Sequence, residues 1–105
     1  MSVMILSYRD KGTTDIAKGL KTREAGKTLP TKLFEIARRK LQLIDLARSL
    51  SELEKPPNNR LEALIKNRAG QWSIRINDRY RICFEWMETD AYLVEICDYH
   101  KGEWK

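Results

Sequence analysis

The residues best suited to acid–base chemistry are three consecutive ones, Asp98, Tyr99 and His100. His100 is the only histidine of the 105-residue chain, and the triplet follows an apolar run with the pattern of a strand. The chain also carries 20 lysine and arginine residues. A proton-transfer group, an aromatic ring and an electropositive surface therefore meet at one end of a predicted sheet. This combination suits chemistry on RNA.

The charge of the chain favours a polyanionic partner. The formal net charge is +5 and the pI is near 9.4, which attract anions at long range without specifying a fold. Between residues 60 and 81 only Glu62 and Asp78 oppose the bases, which are Arg60, Lys66, Arg68, Arg75, Arg79 and Arg81. We interpret these bases as an RNA-binding surface, and an acidic protein is the alternative partner.

The composition also limits the class of protein. At 12.4 kDa, residues 1–105 form one domain with a single core. Cys83 and Cys97 lie in apolar runs, so we interpret them as small buried hydrophobes, with a redox or metal role as the alternative. No metal and no cofactor are expected. The apolar run before Arg9 is too short for a signal peptide or a spanning helix, which predicts a soluble cytoplasmic protein without membrane contact.

The first half of the chain predicts a strand and two helices. Residues 3–8 have the pattern of a short strand, and Thr13 or Thr14 can cap a short helix through about Leu20. A linking segment ends at Gly26, and a longer helix follows.

The second helix is predicted to begin at Pro30, whose missing amide proton would be unpaired in a first turn in any case. Its Arg38-Arg39-Lys40 run is interpreted as a solvated face, with phosphate or partner binding as the alternative. The Pro56–Asn59 loop ends this helix. Apolar residues recur along it at three- and four-residue steps, namely Leu33, Ile36, Ala37, Leu41, Ile44 and Ala47.

The second half of the chain changes to a period of two. Strands are predicted at residues 60–64, 72–76, 80–86 and 91–97, with a tight hairpin turn at Asn77-Asp78. Alternation places Arg75 and Arg81 on the face opposite the large apolar side chains. Short strands joined by short turns predict an α+β protein, in which two N-terminal helices pack on a small antiparallel sheet.

Two segments, residues 59–86 and 94–100, closely resemble the HigB toxins of bacterial toxin–antitoxin modules, within the RelE/ParE superfamily. The opening strand, the two helices and the Pro-Pro loop also follow the family order. The resemblance implies a RelE-like fold with a mainly antiparallel sheet of about four to five strands. It also implies a HigA-like helix-turn-helix antitoxin as partner, and cleavage of mRNA in the A site of the 70S ribosome.

The family's functional positions fall on Asp98, Tyr99, His100 and Arg81. The implied reaction is attack of a ribose 2′-hydroxyl on the adjacent phosphate, with no metal required. His100 has an unperturbed pKa of about 6.5 and would transfer a proton near neutral pH, or it is a plain surface histidine. Asp98 would orient the imidazole or act as the base. Tyr99 would stack on a nucleobase or close the edge of the core.

Glu62 departs from the family pattern, because some members have a second histidine at this place. A carboxylate there would serve as the base, or it would pair with Arg75 or Arg81.

Two other function classes stay open: a ParE-like inhibitor of DNA gyrase, and a basic RNA-binding module without activity. The segment 101–105 extends past many relatives, and Trp104 would stack on RNA or pack on the body.

Overall fold

The computed structural model describes residues 5–98. The predictions for Tyr99, His100 and the 101–105 segment therefore lie outside the described residues. Four α-helices are present in this range: α1 (Lys11–Ala17), α2 (Arg23–Thr28), α3 (Phe34–Leu46) and α4 (Leu50–Glu54). Four strands follow them, namely β1 (Glu62–Ala63), β2 (Gln71–Arg75), β3 (Tyr80–Met87) and β4 (Asp90–Asp98). Three short 3₁₀ turns lie at Thr31–Leu33, Pro57–Asn59 and Lys66–Arg68.

Helix α1 is capped by Asp10, so the prediction of a cap at Thr13 or Thr14 was wrong. The Asp10 carboxylate accepts a hydrogen bond from the Thr13 amide at 2.7 Å. Thr13 lies inside the helix and is fully buried. Its hydroxyl oxygen accepts a hydrogen bond from the Ile96 amide of β4 at 3.0 Å. The residue type was suited to a cap, but burial against the sheet gave Thr13 a tertiary partner instead.

Helix α2 was missed and replaces the predicted linking segment that ended at Gly26. Thr22 caps it by accepting a hydrogen bond from the Ala25 amide at 3.1 Å. The helix has only six residues, with Ala25 as its buried member, so no apolar stripe repeats along it. Helices α1 and α2 approach closely at Gly12, where a Cβ atom would lie 2.8 Å from the Glu24 carbonyl oxygen.

Helix α3 has the predicted period and most of the predicted apolar stripe, with Ala37, Leu41, Ile44 and Ala47 buried. Its buried residues are Phe34, Ala37, Leu41 and Ile44. Ile36, placed on the stripe by the sequence pattern, is 39% exposed. The helix begins after the Pro30-led 3₁₀ turn and ends at Leu46, because Ala47 adopts an extended conformation. The predicted continuation to Pro56 is a separate helix, α4.

The sheet has the strand order β1-β2-β3-β4, with antiparallel pairing throughout. The predicted hairpin turn is confirmed, since Arg75 and Arg81 face each other across it. Strand β1 is shorter than the predicted 60–64 span. The opening segment forms two isolated parallel bridges to β4, at Ile5 and Tyr8, instead of a full strand. The α+β class and the mainly antiparallel sheet of about four to five strands are confirmed.

The two faces of the sheet have different environments. The helices cover one face, and the core there includes Ile16, Leu41, Ile44, Ile74, Ile82, Phe84 and Val94. Cross-strand pairing places Glu62, Ser73, Cys83 and Glu95 in one row on the opposite face, with Arg75, Arg81 and Cys97 in the next row. We call this second surface the open face. Cys83 and Cys97 are buried there in a small cluster with Leu64, as predicted for small hydrophobes.

No helix within residues 5–98 has both the length and the apolar character needed to cross a bilayer.

Candidate functional site

Arg81 lies on the open face but is almost completely buried. It is 4% exposed, and its Nε donates a hydrogen bond to the Ser73 hydroxyl oxygen at 2.7 Å. Its Nη2 donates to the Ser73 carbonyl oxygen at 3.3 Å and also to the carbonyl oxygen of Arg60. The guanidinium therefore ties the β2–β3 hairpin to the backbone just before β1. The sequence placed Arg81 among the catalytic and RNA-binding residues, and the described contacts of its side chain are with the protein itself.

Glu62 lies next to this buried arginine at the edge of the sheet. Its Oε1 is 3.8 Å from Arg81 Nη2, and its side chain is 47% exposed. The pairing with Arg81 is one of the two alternatives that the sequence left open for Glu62. It does not exclude proton transfer, because the carboxylate is accessible to solvent and to a ligand.

Asp98 ends β4 opposite Tyr80, at the hairpin end of the sheet. Arg79 donates two hydrogen bonds to Asp98 Oδ2, from Nη2 at 3.0 Å and from Nε at 3.2 Å. The hydrogen bond to Asp98 raises the pKa of Arg79, and the charge of Asp98 adds to this effect. The Arg79 guanidinium also lies 5.4 Å from the centre of the Tyr80 ring. Arg79, predicted to bind RNA, thus holds a predicted catalytic carboxylate.

Glu62 and Asp98 are too far apart to act on one reacting group. They belong to β1 and β4, the two outer strands of the sheet. Three strand spacings amount to about 14 Å. The pleat also separates Asp98 from Arg81, because Asp98 pairs with Tyr80 while Arg81 pairs with Cys97. The predicted catalytic residues within the described range therefore form two groups, Glu62 with Arg81 and Asp98 with Arg79.

The remaining predicted RNA-binding residues lie at two ends of the sheet. Arg75 is near the hairpin, where it pairs with the exposed carboxylate of Asp78. Arg60 precedes β1 in a left-handed conformation, with φ 46°. Lys66 and Arg68 occupy the turn between β1 and β2, at the opposite end.

The positive charge of Arg68 is balanced by the carboxylate of Glu95. Its Nη1 lies 2.8 Å from Glu95 Oε1, and Arg9 reaches the same carboxylate oxygen at 3.4 Å. Burial acts to lower the pKa of Arg68, but the hydrogen bond to Glu95 raises it on balance, and the charge of Glu95 adds to this effect. A phosphate would have to compete with Glu95 for this guanidinium.

Both cysteine thiols are buried, which disfavours a nucleophilic role for the pair. The hydrogen bond with Cys83 and burial raise the pKa of the Cys97 thiol far above its usual range. A buried thiol that resists ionisation is a poor nucleophile and a poor metal ligand. Within residues 5–98 no group of three His, Cys, Asp or Glu side chains is arranged to hold a metal ion.

Lys40 was predicted to belong to a solvated run, but its side chain reaches the Pro57–Asn59 turn. Its Nζ donates a hydrogen bond to the Asn59 side-chain oxygen, while Arg38 and Arg39 pair with Glu35 on the exposed face. Asn59 is fully buried. Burial lowers the pKa of Lys40, and the positive charge of Arg75 lowers it further. One signal pointed to this position, since Lys40 borders the apolar stripe at Leu41.

The chain is similar to toxins along nearly its whole length. The family model described as "RelE-like toxin of type II toxin-antitoxin system HigB" matches residues 7–100. Toxin HigB-1 of Vibrio cholerae serotype O1 is 35% identical over 98 residues, which cover 93% of this chain and 99% of the relative. Endoribonuclease HigB of Proteus vulgaris is 32% identical over 97 residues, or 92% of this chain and 100% of the relative. An uncharacterized protein of Haemophilus influenzae is 33% identical over 63 residues.

Proposed function

The chain belongs to the HigB-like family, the RelE-like toxins of type II toxin-antitoxin systems, and from this premise we propose that it is an endoribonuclease that cleaves mRNA in the A site of the 70S ribosome. Cleavage there inhibits translation. A toxin of such a module has an antitoxin as partner, and we propose a HigA-like protein with a helix-turn-helix for this role. The proposed site of action is the cytoplasm.

One observation carries the proposal of RNA cleavage. The relative named Endoribonuclease HigB aligns over its full length with 92% of this chain. The alignment therefore leaves no separate catalytic domain of that relative unmatched. The basic residues at the hairpin end, Arg75 and Arg79, supply the positive charge that an RNA backbone requires.

The proposed reaction is a transesterification within the RNA. The 2′-hydroxyl oxygen attacks the adjacent phosphorus, and the bond from phosphorus to the 5′-oxygen breaks. A base takes the proton of the 2′-hydroxyl, and an acid gives a proton to the leaving 5′-oxygen. The products are a 2′,3′-cyclic phosphate and a 5′-hydroxyl. We assign the proton transfers to Asp98 and His100, and base stacking to Tyr99.

Arg79 and Arg81 receive different roles in this proposal. Arg79 holds the Asp98 carboxylate through two hydrogen bonds and is a positioning residue. Arg81 donates a hydrogen bond to the backbone before β1, so its proposed role is to stabilise the fold around the site. Glu62 remains the alternative base, at a second place on the sheet.

Primer extension on an mRNA in a purified translation system tests the proposal. The wild type is compared with His100→Ala, Asp98→Asn and Glu62→Gln, with ribosomes present in one arm only. We expect cuts inside codons that require ribosomes, His100 and Asp98, and that persist in Glu62→Gln. Arg39→Gln, on the exposed side of α3, is the matched surface control.

Other patterns of cleavage would change the proposal in defined ways. Cuts without ribosomes would retain the nuclease and remove the A-site mechanism. Cuts lost in Glu62→Gln and kept in Asp98→Asn would move the base to β1. No cuts from folded wild-type protein would reject the nuclease, and a supercoiling assay would then test inhibition of DNA gyrase.

A further inference from the structure

Two arginines from distant parts of the chain converge on one carboxylate oxygen of the open face. Glu95 Oε1 lies 2.8 Å from Arg68 Nη1 and 3.4 Å from Arg9 Nε. Glu95 belongs to β4, Arg68 to the turn between β1 and β2, and Arg9 to the segment just before α1. We call these three residues the Glu95 cluster. Arg9 has no role in the proton transfers proposed above.

The sheet fixes the positions of the three side chains. Glu95 is paired with Cys83 in the register of β3 and β4, within the row of residues on the open face. Arg68 also donates a hydrogen bond to the Gln71 side-chain oxygen at 3.1 Å, at the start of β2. The Arg9 amide donates to the Val94 carbonyl oxygen at 2.9 Å, which holds its backbone next to Glu95. The cluster is therefore built by tertiary structure.

The cations of the Glu95 cluster are more accessible than its anion. The side chains of Arg9 and Arg68 are 44% and 25% exposed, whereas that of Glu95 is 16% exposed. Two positive charges face one negative charge, so the cluster keeps an excess of positive charge at the surface. Each guanidinium also offers a planar fork of donors, which matches the oxygens of a phosphate.

A similar group on α3 provides a reference. Glu35 Oε1 lies 2.7 Å from Arg38 Nη2 and 3.6 Å from Arg39 Nε. These residues are neighbours on one helix surface, and the Glu35 side chain is 60% exposed. Exposed pairs of this kind are weak and rearrange easily. The charges are the same as in the Glu95 cluster, but the surrounding fold does not hold them in one geometry.

We propose that Arg9 and Arg68 together bind one phosphate group of an RNA chain, and that Glu95 competes with this phosphate. The inference rests on the proposed function, because it takes RNA as the ligand. The phosphodiester oxygens accept hydrogen bonds from both guanidinium groups. The negative charge of Glu95 opposes the phosphate and limits its affinity. The phosphate belongs to mRNA or to ribosomal RNA, which present the same chemistry.

The affinity for RNA tests the site directly. The probe is a fluorescein-labelled 2′-O-methyl oligoribonucleotide, which has no free 2′-hydroxyl and so cannot be cut by the proposed reaction. Fluorescence anisotropy gives its affinity for the wild type, Arg9→Met, Arg68→Met and Glu95→Gln at several salt concentrations. We expect each arginine substitution to weaken binding roughly five-fold or more, and Glu95→Gln to strengthen it roughly three-fold. The slope of log affinity against log salt should fall by about 0.7 per lost phosphate contact.

Arg39→Met and Glu35→Gln are the matched controls, since they make the same changes of charge in the group on α3. Their effects should stay below about two-fold at about 150 mM salt, because exposed charges are screened there. Urea unfolding of every variant separates a loss of binding from a loss of structure. Should Arg68→Met fail to fold, Arg9→Met and Glu95→Gln test the same site against their own controls.

The opposite signs distinguish a phosphate site from a purely structural ion cluster. If Glu95→Gln binds RNA no better than Glu35→Gln, Glu95 does not compete with RNA and the proposal is rejected. It is also rejected if Arg9→Met and Arg68→Met match Arg39→Met, even when the wild type cleaves mRNA. If the wild type binds RNA through both arginines without cutting it, the site stands and the nuclease proposal fails.

A sedimentation arm with 70S ribosomes separates the two sources of phosphate. Loss of oligonucleotide affinity in Arg9→Met and Arg68→Met, with ribosome binding retained, assigns the phosphate to mRNA. Loss of ribosome binding alone assigns it to ribosomal RNA, and the controls must then still sediment with ribosomes.

Discussion

Arg81 donates hydrogen bonds to Ser73 and Arg60 from a position that is 4% exposed. Its replacement by Met would remove these hydrogen bonds, including the one to the hydroxyl of the fully buried Ser73. We expect Arg81→Met to lower the free energy of unfolding by about 3 kcal/mol, as measured by urea denaturation. Arg39→Met, at an exposed position of α3, should change it by less than about 0.5 kcal/mol. Equal stability of the two variants would contradict the supporting role of Arg81.

The environment of Asp15 should make the free energy of unfolding depend on pH in the acid range. It is buried, it pairs with Lys11 Nζ at 2.8 Å, and it accepts a hydrogen bond from the Thr22 hydroxyl at 2.6 Å. The hydrogen bond from Lys11, followed by that from Thr22, lowers the pKa of Asp15. The resulting stability is therefore present above the unfolded pKa of about 3.9 and is lost as the pH falls through the lower folded value.

The variant Asp15→Asn tests this dependence. We expect it to be less stable than the wild type at pH 7, and the difference should shrink as the pH approaches 2. Urea unfolding at several pH values measures both changes. Glu54→Gln, at an exposed position of α4, serves as the control. A difference that stays constant down to pH 2 would show that ionisation of Asp15 does not stabilise the fold.

The sequence predicted the residue types of the candidate site better than their contacts. Arg79 was identified as an RNA-binding residue and Asp98 as a catalytic carboxylate. Their ion pair joins residues that are 19 positions apart in the sequence. The hydrogen bond between Lys40 and Asn59 also spans 19 positions. Such partners depend on how the strands and turns pack, which periodicity does not encode. Strand alternation placed Arg81 on the correct face, but it could not show that the backbone before β1 covers that side chain.

At the scale of elements, the contact between α1 and α2 depends on a glycine. A Cβ atom at Gly12 would come within 2.8 Å of the Glu24 carbonyl oxygen, whereas one at Gly26 would meet nothing within 4 Å. We expect Gly12→Ala to lower the free energy of unfolding by about 1 to 3 kcal/mol through steric overlap. Gly26→Ala should raise it by up to about 1 kcal/mol, because alanine favours the helix. Chemical denaturation of both variants measures the two changes in the free energy of unfolding, which should have opposite signs. A Gly12→Ala variant as stable as the wild type would contradict the close approach of α1 and α2.

The accuracy of the predicted elements follows from the length of each pattern. The β2–β3 hairpin was predicted correctly, because alternation continues on both sides of Asn77-Asp78. Helix α3 shows the predicted period over 13 residues. Helices α2 and α4 have six and five residues, too few for an apolar stripe to repeat, so one was missed and the other was merged with α3.

At the scale of the whole molecule, the helices and the sheet share one core and should unfold together. Thr13 of α1 contacts the Ile96 amide of β4, and the Ile5 amide donates a hydrogen bond to Asp45 of α3 at 3.1 Å. We expect far-UV circular dichroism and tryptophan fluorescence to give the same urea midpoint, as in a two-state transition. A lower midpoint for the far-UV signal would show that the helices detach before the sheet unfolds.

The bridges between the opening segment and β4 have a consequence for folding kinetics. The Leu93 amide donates a hydrogen bond to the Ser7 hydroxyl oxygen across a sequence separation of 86. The hairpins between neighbouring strands close short loops, whereas this contact closes a loop of most of the chain and carries a larger entropic cost. The opening segment should therefore dock late. In native-state hydrogen exchange, the amides of Leu6 and Arg9 should exchange earlier than those of Ile74 and Ile82.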